Sequence, residues 1–189
     1  MKKQQRVKLN LGCGSNLLLG FINVDNFVTH KAPNFRKADV RSLPFSSNYA
    51  DYVLMDNVLE HIPMADILIV LTEIRRVLKV GGRCVIMVPD FSCIARHWLE
   101  MAKSEIFNPY IYQFVAETIY GTQLSEGEFH KTAMSPTYLN YALCTVGFRK
   151  FALITHPAGG PLPSYPGMTG PVKGHVIRND QLVADITKT

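Results

Sequence analysis

Apolar and polar residues alternate from Val7 to Leu11, and the alternation stops at Gly12-Cys13-Gly14. That pattern predicts a short strand running into a glycine turn. A second strand-like run, Phe21 to Val24, ends on Asp25, and Phe35 to Ala38 reads as a third strand ending at Asp39. Tyr52 to Met55 reads as a buried strand closing at Asp56-Asn57, and Cys84 to Val88 as another, stopped by Pro89-Asp90. Between them Pro63 marks a helix start, and Ile67, Leu71, Ile74 and Leu78 recur at helical spacing. Arg75, Arg76 and Lys79 are expected in that helix's last turn, with Gly81-Gly82 beyond it. Ser92 to Tyr120 is helical in its spacing, Tyr138 to Val146 reads as a helix closed by Gly147, and Phe148–Thr155 and Leu182–Ile186 read as strands.

Each of the first strands thus ends at a glycine or a polar side chain. The order predicts an α/β fold, a doubly wound, mostly parallel seven-stranded sheet whose carboxyl edge carries one ligand cleft. A glycine turn there lets a ligand approach backbone N–H groups, and a carboxylate such as Asp25 suits the two hydroxyls of a ribose. Only ten residues separate Leu11 from Ile22, and nine separate Asp25 from Phe35. A parallel crossover with a helix takes about a dozen or more, so the first crossovers are expected to be short and helix-free. The sheet face they leave bare should be covered by a second subunit, making a homodimer, or by the aromatic helix at 105–120. Residues 1–189 are read as one domain, with 103–137 and the loop 157–174 as cap segments; ten residues of 156–174 are Gly or Pro.

Composition narrows the class. The chain has 47% hydrophobic residues, no apolar run long enough for a membrane span, and a basic start without a following apolar region. Its four cysteines lack metal-ligand spacing, so reduced thiols in a cytoplasmic protein are expected and no metal is assigned. The net charge of +5 permits an anionic partner. Without dense basic clusters interleaved with aromatics, however, nucleic acid is disfavoured.

Five pieces stand in order: LNLGCG, INVD, KADVRSLPF, DYVLMDNVLEHI and EIRRVLKVGGRCVIMVPD. Together they resemble the class I S-adenosylmethionine-dependent methyltransferases, especially the small type 11 kind. Leu17 stands where a dinucleotide fingerprint needs its third glycine, which speaks against a nicotinamide dehydrogenase. The resemblance implies S-adenosyl-L-methionine as cofactor and S-adenosyl-L-homocysteine as product. It implies that Gly12, Cys13 and Gly14 let the backbone pass the methionine part, that Asp25 accepts from the ribose, and that Asp39 with the Val40 N–H holds the adenine. Asp56 and Asn57 would line the methionine and sulfonium region. Asn10 stands where the family usually has an acid facing the cofactor's ammonium.

Methyl transfer is an in-line displacement at carbon, so positioning supplies most of the acceleration and a base is needed only where the acceptor must lose a proton. His61 and His130 are the candidate bases; each could equally be an ordinary packing or loop histidine. The expected function is transfer of a methyl group to a small-molecule or carrier-bound acceptor. The alternative is a non-catalytic domain that binds the cofactor or a partner protein.

Overall fold

Seven strands form one sheet: β1 (Lys8–Leu11), β2 (Ile22–Asp25), β3 (Phe35–Lys37), β4 (Ala50–Asp56), β5 (Leu78–Pro89), β6 (Lys150–Thr155) and β7 (Gln181–Thr187). Their order is β3-β2-β1-β4-β5-β7-β6. The pairs among β1 to β5 are parallel, while β7 runs antiparallel to both β5 and β6. This is the doubly wound, mostly parallel arrangement that the spacing of strands predicts. The computed structural model describes residues 6–103, 109–155 and 181–189; the loop 157–174 lies outside them.

Side-chain alternation sorts the sheet's two faces. On one, Leu9, Leu11, Val53, Met55, Ile86 and Ala184 join the main core. That core is closed by α1 (Ile67–Val77) and α4 (Pro136–Thr145), which contribute Val70, Leu71, Ile74, Leu139 and Leu143. On the other face Leu54, Val85, Met87 and Val183 are packed by Leu18, Phe21, Tyr52 and Ile154.

No helix occurs between β1 and β2 or between β2 and β3, as the short spacings require. The first link itself lies over the second face, and two buried amides fasten it. Asn10 Nδ2 donates to Asn16 O and to Asn23 Oδ1. Asn23 Oδ1 also accepts from the Leu18 N–H, while Asn23 Nδ2 donates to Leu18 O. A pair of side-chain amides thereby does for this link what a crossover helix does elsewhere. The helix α3 (Pro109–Tyr120) packs instead on α2 (Phe91–Lys103), with the Trp98 and Tyr112 rings 5.3 Å apart, and leaves Tyr110, Tyr112, Phe114 and Tyr120 exposed.

Two boundaries differ from expectation. Helix α1 ends at Val77, because Leu78 is already extended (ψ 134°) and pairs with Ala50. Lys79 therefore lies in β5 and binds the Asp51 carboxylate at 2.9 Å instead of capping the helix. Gly81 and Gly82 continue β5, where the Gly81 N–H donates to Lys188 O and Gly82 O accepts from the Lys188 N–H. Strand pairing on both sides outweighs the helix-stop pattern. The expected helical run 92–120 is likewise two helices, with Pro109 at the first position of α3, where its missing N–H is harmless.

Candidate functional site

The carboxyl ends of β1, β2 and β4, with the turn after β3, bring the expected residues to one edge. Gly12 and Gly14 both adopt positive φ (65° and 49°), and Gly12 also passes close to a side chain. A Cβ on Gly12 would lie 2.4 Å from Val58 Cγ2, so the turn and the segment after β4 are in contact only because that position is glycine. Cys13 is buried beneath the turn and its N–H donates to Val24 O at 3.0 Å. Burial pushes its thiol up to about 11, and the Asp25 charge adds to the rise.

Asp25 is only 7% exposed and binds its own chain on both oxygens. Oδ2 accepts from the Gly14 N–H at 2.8 Å; Oδ1 accepts from the Phe27 and Val28 N–H groups at 2.8 and 3.0 Å. A carboxylate offers about four lone-pair directions, so about one is left for another donor. His30, which the pattern of residues did not single out, closes the same turn: its Nε2 lies 2.8 Å from Gly14 O, which can only accept, so that nitrogen carries the proton. Asp39 is gripped by Arg41, whose Nε and Nη2 donate to Oδ1 and Oδ2 at 3.0 and 2.6 Å. Those bonds hold the Asp39 carboxyl below the usual range. Val40 is buried beside it. Asn57 has φ 53°, and its Nδ2 donates to Asp56 Oδ1 at 2.9 Å. Asn10 is buried and its amide serves the Asn16 and Asn23 contacts of the first link.

The second group lies just after β4, on the single-turn 3-10 helix Leu59–His61 and the segment 128–132 folded against it. The Lys131 and Thr132 N–H groups both donate to Glu60 O, and Thr132 Oγ1 donates to Ile62 O at 2.6 Å. This seats His130 against His61, with ring centroids 4.8 Å apart. His61 Nδ1 lies 3.1 Å from Phe129 O, and His130 Nδ1 lies 2.9 Å from Thr118 O. Carbonyls only accept, so each ring donates from Nδ1, and in the neutral ring the lone pair is on Nε2. Burial also pushes the His61 pKa down, which favours the neutral ring.

Glu60 is a second residue that the sequence pattern missed. It is 2% exposed, and neither carboxyl oxygen has a hydrogen-bond partner. Burial pushes its pKa up to about 8, opposed by its own backbone N–H and reinforced by the Asp56 charge. The available signal was an acid set directly before a histidine in the apolar frame Val58-Leu59 and Ile62.

Residues 20–86 match a family model described as a methyltransferase domain. An uncharacterized protein of Methanocaldococcus jannaschii is 38% identical over 73 residues, which are 39% of this chain and 28% of that protein; the match thus spans well under half of either length. Among solved structures, a S-adenosylmethionine-dependent methyltransferase from Archaeoglobus fulgidus superposes with a TM-score of 0.62 at 16% identity, over 98% of this chain and 87% of that one. A Burkholderia thailandensis 1,6-didemethyltoxoflavin-N1-methyltransferase with bound S-adenosylhomocysteine gives 0.54 at 14% identity, over 97% and 71%.

Proposed function

We propose that the chain, whose residues 20–86 match a methyltransferase-domain model and whose fold is that of the S-adenosylmethionine-dependent methyltransferase it superposes on, moves a methyl group from S-adenosylmethionine to a small-molecule or carrier-bound acceptor. The observation that carries the reading is the shared edge: the Gly12–Gly14 turn bonded to Asp25, with Asp39 and Asp56 at successive strand ends. In such sheets ligands sit beyond the carboxyl ends, where the strand order reverses, here at β1 between β2 and β4.

In this reading Gly12, Cys13 and Gly14 lie along the methionine part, Asp25 takes a ribose hydroxyl on its remaining lone pair, and Asp39 with Val40 faces the adenine. Asp56 and Asn57 flank the sulfonium. Asn10 acts at one remove, by holding the link that follows the turn. The acceptor enters beside the segment 109–137. Transfer is an in-line displacement, in which the acceptor's electron pair forms the new bond to carbon as the carbon–sulfur pair returns to sulfur. Where the acceptor must lose a proton, His61 or His130 would take it at Nε2.

Titration calorimetry against S-adenosylhomocysteine tests the cofactor half. Heat of binding is expected in the wild type, and Asp25→Ala should weaken it by roughly 10- to 100-fold, the worth of a bond to a charged group. No heat at about millimolar ligand would end the reading.

A second reading, binding without transfer, is favoured by one fact: the carboxylates of Asp25 and Asp39 are largely satisfied by the chain itself. Incubation with cell metabolites and a tritium-labelled methyl donor separates the two. Label in any product selects the enzyme; binding with no labelled product from any fraction selects the binder.

A further inference from the structure

We propose that Glu60, His61 and His130 hold a divalent first-row transition-metal ion. One ligand atom from each of the three lies within 4.8 Å of the other two. An ion about 2.0–2.2 Å from each would need them at roughly 3–4 Å, a closure within the reach of side-chain rotation.

Three further observations point to an occupant. A carboxylate buried without a partner is costly, and native proteins rarely leave one so; a cation supplies the missing counter-charge. Both imidazoles have Nδ1–H turned to a backbone carbonyl, of Phe129 and of Thr118, which orients Nε2 as the ligand nitrogen. Metal-binding histidines are commonly held in this way by a partner on the far ring nitrogen. The backbone around them is also fixed. Besides the bonds from 131 and 132 to Glu60 O, the His130 N–H donates to Tyr120 O. A Cβ on Gly121 would lie 1.8 Å from Glu128 O, so the crossing of 120–121 with 128–130 needs glycine.

Two nitrogens and one oxygen form a borderline donor set. It suits zinc, cobalt, nickel, iron or manganese better than magnesium or calcium, which prefer oxygen alone. Three protein ligands leave a coordination position open, as in catalytic and not structural zinc sites. This use of the imidazoles and their use as bases exclude each other at any one moment, because a lone pair bound to an ion takes no proton.

The test is titration of the chelator-treated, full-length protein with Co²⁺, followed by its visible d–d absorption, with Zn²⁺ added as competitor and metal content measured by mass spectrometry. About one ion per chain is expected, displaced by Zn²⁺. Glu60→Gln and His130→Ala should each weaken Co²⁺ by about tenfold or more, while Cys144→Ser, at an exposed thiol, leaves it unchanged. Circular dichroism establishes that each variant is folded, and Glu60→Gln keeps the side chain's shape. No uptake of Co²⁺ or Zn²⁺ at about millimolar metal, or folded variants that bind as tightly as wild type, would overturn the proposal. Binding of S-adenosylhomocysteine is read separately: Co²⁺ uptake without it leaves the metal site standing and removes the methyl-transfer reading.

Discussion

Single residues at this edge carry unequal loads, and the glycines illustrate it. Gly12→Ala meets both a left-handed φ and Val58 Cγ2 at 2.4 Å. It should cost about 2–5 kcal/mol, combining about 1–2 for the backbone and about 1–3 for overpacking. Gly14 has a similar φ but open space around its missing Cβ, so Gly14→Ala should cost only the backbone part. Urea denaturation of both variants, and of Gly12→Ala combined with Val58→Ala, checks this; the double variant should recover the packing part alone. Glu60 makes an opposite case. Its folded pKa, near 8, lies above the usual 4.5. The neutral acid is therefore the form the fold favours, fully present below the unfolded value and lost as pH climbs from there through about 8. In chelated protein Glu60→Gln should accordingly stabilise, with a gain that grows between pH 5 and 9. A gain equal at both pH values in thermal melts would contradict this origin.

At the scale of elements, the first link is held by amides in place of a helix. Asn23→Ala would leave the Leu18 N–H and one Asn10 N–H without their Oδ1 acceptor, while Leu18 O keeps the Phe21 N–H. Leaving two groups unpaired costs about 1–3 kcal/mol apiece, so a loss of roughly 2–6 kcal/mol is expected, with faster proteolysis inside 12–21. The shortness of this link was legible in the spacing of apolar runs, and so were the strands, since each ends at a polar tip. The means of covering the sheet was not legible, because two asparagines facing each other across β1 and β2 are invisible until the register is known. Lys79 was misplaced for the same reason: its partner Asp51 is remote in sequence, and only pairing of β4 with β5 brings the two together. The residues at the strand tips, Gly12, Asp25 and Asp56, were readable from where the strand-like runs stop. Glu60 was not, since its isolation depends on residues 131 and 132 arriving from far along the chain.

For the whole molecule, the sheet's two faces are packed differently among the described residues. One is backed by α1 and α4, whereas the other's apolar cluster is packed by Leu18, Phe21, Tyr52 and Ile154, with Phe21 and Tyr52 edge-to-face at 5.9 Å. Phe21→Ala should lower stability by about 2–3 kcal/mol, less than a fully buried Phe. It should also raise binding of a hydrophobic dye in the native state, because the strands beneath are left open. The sheet's threading has a temporal side as well. Strand β7 is inserted between β5 and β6, so β6, although made earlier, has no neighbour to join until residues 181–187 have emerged. A nascent chain halted before them holds a five-strand platform and a waiting edge at β5, an invitation to foreign strands that residues 181–187 withdraw.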